Sequence, residues 1–368
     1  MKTRIKQLGL ILIALFIFSA CNNAGKDKNV IKIGVILPMT GKLALMGEFE
    51  KNAFQLALDE VNSKEKKVEI IFEDGKGNPK DAVNAAKKLL DIDQVDLVIT
   101  STTGSSLAVQ PIVTEKKKNM IAFCMDPDIA KKSEYVTRYY IGIDEEATAI
   151  TNYFNLNNKS NISVGILYGK VPVWDKVVNQ TFEPFFKSKN IPIAYKESYE
   201  LNEKDFNSLI FKMKEKKITH LILLGYGFEY QNIFKSLEEN KVLESLKIIG
   251  GWGFLYTSVN KKLLEGVLVS GPDYVYQNKD IAVKFNTDYR NKYKSDPNFD
   301  AAFAYNVILS LCENFKKENL LLPIKYSLAR KGKFKGVIGN YFFNSDGNMI
   351  VETNLGIYKN GNIVSKEK

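Results

Sequence analysis

Val95-Asp-Leu-Val-Ile-Thr-Ser-Thr-Thr-Gly-Ser-Ser-Leu-Ala-Val109 is the stretch on which the architecture turns. Its apolar run, Val95, Leu97, Val98 and Ile99, has the character of a strand buried on both faces of a parallel sheet. The run breaks into small hydroxyl residues, Thr100 to Thr103, and then Gly104. Ser105 and Ser106 lead into Leu107, Ala108, Val109 and Ile112 at helical spacing. A strand, a hydroxyl-rich turn and a helix start make an anion-receptive edge. The first helical N–H groups lack intrahelical partners and the helix dipole is positive there. Thr and Ser hydroxyls add donors without charge. The same residues also suit a plain strand-to-helix turn capped by Ser105 or Ser106, so the flanking segments must choose.

Upstream, residues 30–37 form a first apolar strand, and Pro38-Met-Thr-Gly41 turns it into a helix carrying Phe54, Leu56, Ala57, Leu58 and Val61. Residues 68–73 are a second strand, 74–79 a loop and 81–90 a helix. Downstream, 119–124 is the next strand. This alternation predicts an α/β fold with a parallel, doubly wound sheet, in which ligands bind beyond the carboxyl ends of the strands. The exits at 38–41, 101–106 and 124–128 share that edge. A second alternating unit starts after 139–143. It holds strands at 162–168, 191–195, 218–224 and 248–253, and helices reaching about 187 and spanning 205–214. Gly225-Tyr-Gly-Phe228 and Gly250-Gly-Trp-Gly253 are its glycine-rich exits. Residues 282–315 return to long helices. The end carries strands with turns at Asp346-Gly347 and Asn360-Gly361. The fold class is therefore two doubly wound parallel-sheet lobes.

With 368 residues, 45% of them hydrophobic, the chain has enough apolar material for two such lobes. The formal charge of +10 falls to +7 without Lys2, Arg4 and Lys6. The remaining lysines lie in short mixed runs such as 64–67, 116–118 and 214–217, the pattern of solvated helix surfaces. No nucleic-acid motif is present, so nucleic acid is not an expected partner. The single histidine, His220, cannot build a histidine metal cluster and stands at a strand start, so no metal and no cofactor is expected. Cys21, Cys124 and Cys312 form no CxxC or zinc spacing; Cys124 and Cys312 are either two buried thiols or a pair.

Residues 1–6 are a basic n-region and 8–20 an apolar h-region of 13 residues, too short for a comfortable membrane span. Phe18-Ser-Ala-Cys21 resembles a bacterial lipobox, with Phe18 where leucine is usual. That assigns 1–20 to a lipoprotein signal peptide, Cys21 to acylation and 21–29 to a flexible tether. An ordinary signal peptide cleaved near Ala20 or Ala24 is the alternative. Both mean export.

Taken in order, Ile33-Gly-Val-Ile-Leu-Pro-Met-Thr-Gly41, residues 74–85, Glu203-Lys-Asp-Phe-Asn-Ser-Leu209, Asp296-Pro-Asn-Phe-Asp-Ala-Ala302 and Phe334-Lys-Gly-Val-Ile-Gly339 with Phe343-Asn-Ser-Asp-Gly347 resemble the type I periplasmic binding proteins, in particular the leucine/isoleucine/valine-binding family. The resemblance covers about residues 30 to 360. It implies two lobes joined by three hinge strands, with crossings near Gly142, Ser270 and Gly339. The N-terminal lobe would comprise 30–142 and 271–338, and the C-terminal lobe 143–270 and 339–368.

The same resemblance implies the site. The serine that grips a ligand carboxylate falls at Thr103, with Thr102 and Ser105 beside it. The small residue after the next strand falls at Cys124 and a hydroxyl position at Asp126. The aromatic of the second lobe falls at Val173 or, with one insertion, Trp174; the next aromatic falls near Tyr226. The acidic residue that meets a ligand ammonium falls at Trp252, a departure that Asp126 could compensate from the other lobe. The function implied is that of an exported solute-binding lipoprotein of an ABC importer, monomeric and not an enzyme. It would take an amino acid or a related carboxylate or amide and hand it to a membrane permease. A ligand-sensing receptor component is the second reading. An exported α/β enzyme is the third, with no nucleophile elbow and no histidine beyond His220 to support it.

Overall fold

The computed structural model describes residues 30–64, 67–156, 161–201, 203–272 and 280–365. The expected signal peptide, Cys21 and the tether lie outside the described residues. In the first lobe, β1 (Ile31–Leu37), α1 (Ala44–Asn62), β2 (Val68–Asp74), α2 (Pro79–Lys87), β3 (Leu97–Ser101), α3 (Thr103–Glu115), β4 (Asn119–Phe123), α4 (Asp128–Lys131) and β5 (Val136–Arg138) follow one another. Their strands form an all-parallel sheet in the order β2-β1-β3-β4-β5. Every residue of β3 and β4 is buried, which is why those segments are continuous apolar runs rather than alternating ones.

The chain then crosses. The second lobe contains α5 (Ile143–Leu156), β6 (Val164–Gly169), α6 (Pro172–Val177), α7 (Glu183–Ser188), β7 (Ile193–Tyr199), α8 (Asn207–Glu215), β8 (His220–Leu224), α9 (Tyr230–Glu239), β9 (Lys247–Gly250) and β10 (Leu268–Pro272). The chain returns through α10 (Asp280–Tyr293), α11 (Phe299–Asn314), α12 (Ile324–Lys331), β11 (Lys333–Gly336), β12 (Gly339–Phe343) and β13 (Met349–Val351). It ends in β14 (Thr353–Lys359) and β15 (Asn362–Ser365). The second sheet runs β15-β14-β10-β9-β8-β6-β7, with every pairing parallel except the antiparallel β10-β14 and β14-β15 pairs. Asn360 and Gly361, with φ of 52° and 76°, both take the left-handed conformation that a two-residue hairpin turn between β14 and β15 requires.

The third crossing differs from the sequence expectation. Residues 339–351 stay with the first lobe in a small antiparallel sheet, β11-β12-β13. The Tyr341 hydroxyl accepts from the Tyr139 hydroxyl at 3.0 Å and from Asn306 at 3.1 Å, and Arg138 Nε donates to Asn348 at 2.7 Å. The chain joins the second sheet only at Thr353, so this crossing falls after Val351 rather than near Gly339. Strand periodicity reports which faces of a strand are buried and is silent on which sheet the strand joins.

Cys124 and Cys312 are free and buried, without a disulfide between them. His220 is half-buried; its ring lies 5.4 Å from Phe154 and 6.0 Å from Tyr153, and its Nδ1 is 2.8 Å from the Thr219 hydroxyl. It is a packing residue of β8.

Candidate functional site

The β3–α3 turn sits where the two lobes face each other. Thr102 caps α3, its hydroxyl oxygen accepting from the Ser105 backbone N–H at 3.4 Å. Its φ of 75° is a rare conformation for a β-branched residue, a cost of about 1–3 kcal/mol that recurs at ligand clamps. Thr102 also donates its hydroxyl proton to Ser105 Oγ at 3.0 Å. Thr103 Oγ1 accepts from the Met125 backbone N–H at 3.2 Å. That bond ties the exits of β3 and β4 together and leaves the Thr103 hydroxyl proton for another acceptor.

Between the lobes lies a narrow cavity of about 40 Å³, well below the usual range for small-molecule sites. The first lobe contributes Leu43, Met46 and Glu50 from α1 and the segment before it, Ser101, Thr102 and Thr103 from the end of β3 and the start of α3, Phe123 at the end of β4 and Met125 just after it, and Asp300 from α11. Tyr140 comes from the first crossing; Tyr226 and Trp252 come from the exits of β8 and β9 in the second lobe.

Of the sequence-nominated residues, Thr102, Thr103, Tyr226 and Trp252 therefore line this space together. Trp174 lies behind it, 1% exposed, with its ring 4.9 Å from Tyr226 in an edge contact; it buttresses Tyr226. Ser105 is buried beneath Thr102. Cys124 is fully buried, and burial pushes its thiol up to about 11, so it is an inert packing group. Asp126 points elsewhere: with Asp128 it receives Lys176 of α6, at 3.4 Å and 2.5 Å, an ion pair from lobe to lobe.

The structure adds three carboxyls that the motif comparison did not nominate. Glu50 is buried, with Oε1 accepting from the Ser101 hydroxyl at 2.8 Å and Oε2 without a partner among the described residues. Burial, reinforced by the charge of Asp300, holds its carboxyl well above the usual range. Asp300 accepts from the Tyr140 hydroxyl at 2.5 Å and from the Tyr256 hydroxyl across the cleft, and burial pushes it up to about 7. Glu146 of α5 stands behind Trp252. Its Oε1 accepts from the Trp252 backbone N–H at 2.7 Å and the Ser270 hydroxyl at 3.1 Å. Burial pushes it up to about 7 against those two bonds. A Cβ at Gly251 would lie 1.8 Å from that oxygen, so this close approach requires glycine.

A sequence signal existed for two of the three. Glu50 falls in register with Ala53, Phe54, Ala57 and Val61 on the buried face of α1, and Asp300 interrupts an otherwise apolar helix. A charged residue on an apolar stripe is an outlier worth a functional question.

The trace and the cavity place the chain in the class of two-lobed, doubly wound α/β proteins with a cavity at the lobe interface. It belongs to the periplasmic binding protein family, whose profile matches residues 30–352. It is 26% identical over 332 residues to Leu/Ile/Val-binding protein homolog 2 of Brucella abortus, covering 86% of this chain and 87% of that protein. It is 27% identical over 259 residues to the Leu/Ile/Val-binding protein BraC3 of Rhizobium johnstonii, covering 69% and 68% of the two. In structure it is similar to the branched-chain amino acid substrate-binding protein LivJ of Streptococcus pneumoniae in complex with isoleucine, with TM-score 0.79, 22% identity, and 91% and 97% of the chains covered. It is also similar to a solute binding protein of Rhodopseudomonas palustris in complex with 3,4-dihydroxy benzoic acid, with TM-score 0.77, 19% identity, and 92% and 96% covered.

Proposed function

We propose that this chain is the extracytoplasmic solute-binding component of an ABC importer, held at the membrane by acylation of Cys21. It captures one small molecule in the interlobe cavity and docks, closed and as a monomer, on a permease. The observation that carries this reading is the lining: Thr102, Thr103 and Glu50 from one lobe face Tyr226 and Trp252 from the other. A ligand touching both walls binds the closed form better than the open one, and that difference in affinity drives closure. Relatives bearing branched-chain amino-acid-binding names support an amino acid or a related carboxylate or amide as cargo. A role without catalysis fits the remoteness of His220, which packs on Tyr153 and Phe154 and does not line the cavity.

The test is a thermal-shift screen of the protein after native ligand has been stripped by partial unfolding, against aliphatic and aromatic amino acids, amides, amines and aromatic acids. A ligand of the folded state at a hundred times its Kd adds about 2.7 kcal/mol and raises the melting temperature. A panel-wide absence of any shift would remove the solute-binding reading.

A further inference from the structure

Resting on the proposed anchor at Cys21, we propose that the edge of the first lobe formed by residues 317–342 is a lipid-facing surface, fitted to the headgroups of an anionic bilayer. The tether ends beside it. Lys317 Nζ donates to the Val30 carbonyl at 2.7 Å, which fastens the entry to β1 onto the short helical segment Lys317–Leu321. The nine residues 22–30 reach at most about 30 Å when fully extended. Leu321 lies four residues beyond Lys317, about 8 Å along a 3₁₀ segment. An acylated Cys21 therefore keeps this edge within reach of the bilayer.

The edge presents apolar side chains held outward. Leu321 and Leu322 are 73% and 69% exposed. Buried Asn119, at the start of β4, fixes the backbone that carries them. Its side-chain nitrogen donates to the Leu320 and Leu322 carbonyls, each at 2.8 Å, and its oxygen accepts from the Ile324 N–H at 3.0 Å. Tyr326 of α12 and Phe342 of β12 are also exposed. Adjacent apolar side chains fixed in solvent mark an interaction surface, and tyrosine favours the headgroup level of a membrane.

Charge selects the partner. Residues 319–344 contain no Asp or Glu. Lys325 is turned inward, donating to the Ala130 and Ser133 carbonyls at 2.9 and 3.1 Å, where the charges of Glu134 and Asp346 reach it. Arg330, Lys333 and Lys335 are exposed and have no carboxylate partner among the described residues. The lysines of α10 behave differently: Lys284 pairs with Asp288 at 2.6 Å and Lys292 with Asp59. Basic side chains beside exposed leucines, a tyrosine and a phenylalanine are the composition of a surface that binds anionic lipid. The placement also suits solute capture. Val30 enters at the amino end of β1, and the cavity lies beyond the carboxyl ends of β3 and β4. The seven residues of β1 span about 23 Å, which keeps the cavity clear of the lipid.

The experiment uses the mature chain, checked for acylation by intact mass and reconstituted into vesicles of phosphatidylcholine alone or mixed equally with phosphatidylglycerol. A polarity-sensitive dye is placed on Leu322→Cys and, as a control on the second lobe, on Phe211→Cys; Cys124 and Cys312 are buried, and the unsubstituted protein reports background labelling. The dye at 322 should shift to the blue and lose quenching by acrylamide in the anionic vesicles, while the dye at 211 stays in water. Replacing Arg330, Lys333 and Lys335 together by Gln should lower the docked-to-free ratio about a hundredfold, a factor of about five for each side chain. Salt at about 1 M, where screening acts within about 3 Å, should reproduce that loss. Tyr326→Cys is the second label site if Leu322→Cys disturbs the fold, with circular dichroism as the check. An acylated chain whose dye at 322 is as wet in anionic as in neutral vesicles overturns the lipid-facing edge and leaves anchor and solute binding standing. Equal shifts at 322 and 211, or a shift that survives the triple replacement, overturn it as well. A mature chain without the acyl mass removes the anchor and this surface with it, and leaves the solute-binding cavity to its own thermal-shift test.

Discussion

Glu146 gives the sharpest quantitative handle on this structure. It is buried at the first crossing, and its carboxyl titrates at about 7 rather than 4.5. In the unfolded chain it ionises freely, whereas in the folded protein it resists ionisation until about pH 7. Below pH 4.5 both states are neutral and the group costs nothing. As the pH rises toward 7 the unfolded state gains from ionisation and the folded state does not, so stability is lost over that window and the loss levels off above it. A shift of about 2.5 units corresponds to roughly 3.4 kcal/mol at full effect, of which about 2.5 kcal/mol disappears between pH 5 and pH 8. Glu146→Gln removes the titration. The Gln Oε1 can still accept from Trp252 N–H and Ser270 Oγ, both of which bond Oε1 in the native protein. Melting temperatures of ligand-free protein at pH 5 and pH 8 should therefore fall less in the variant, by on the order of 5 °C. Glu50 and Asp300 also shift upward, but they titrate in both proteins and cancel in the comparison. Equal falls in the two proteins would refute the assignment of a neutral Glu146 below pH 7.

Thr103→Ala, which keeps the fold but deletes the hydroxyl, should weaken ligand about five- to tenfold by calorimetry; unchanged affinity removes Thr103 from the site. Lys176→Ala breaks the lobe-to-lobe pairs with Asp126 and Asp128. These groups are partly exposed, so the effect is at most about 1 kcal/mol, seen as up to about fivefold weaker binding and a larger radius of gyration without ligand; a gain in affinity would contradict a closing role. His220→Ala should lower the melting temperature through lost packing and leave the ligand Kd unchanged, and a changed Kd would reopen a role for the imidazole at the site.

The alternation of buried strands and amphipathic helices was legible in the sequence because each parallel strand carries its own burial signature, as in 97–101 and 119–123. The hydroxyl-rich turn was legible for the same reason: chemistry placed at a strand exit is local. Thr102 and Thr103 could therefore be nominated, and Tyr226 and Trp252 marked as aromatic exits of the second lobe. What the chain order could not give was convergence. Glu50 and Asp300 are 250 positions apart in number and reach one wall only because α1 and α11 pack together. Trp174 and Asp126, plausible on alignment, were turned away by neighbours no local pattern reveals, Tyr226 for one and Lys176 for the other. Strand 339–343 likewise took its sheet from the long-range contacts of Tyr341 with Tyr139 and Asn306. Periodicity fixes which face of an element is buried; which distant side chains share that burial, and with what charge between them, is a property of the packed tertiary structure alone.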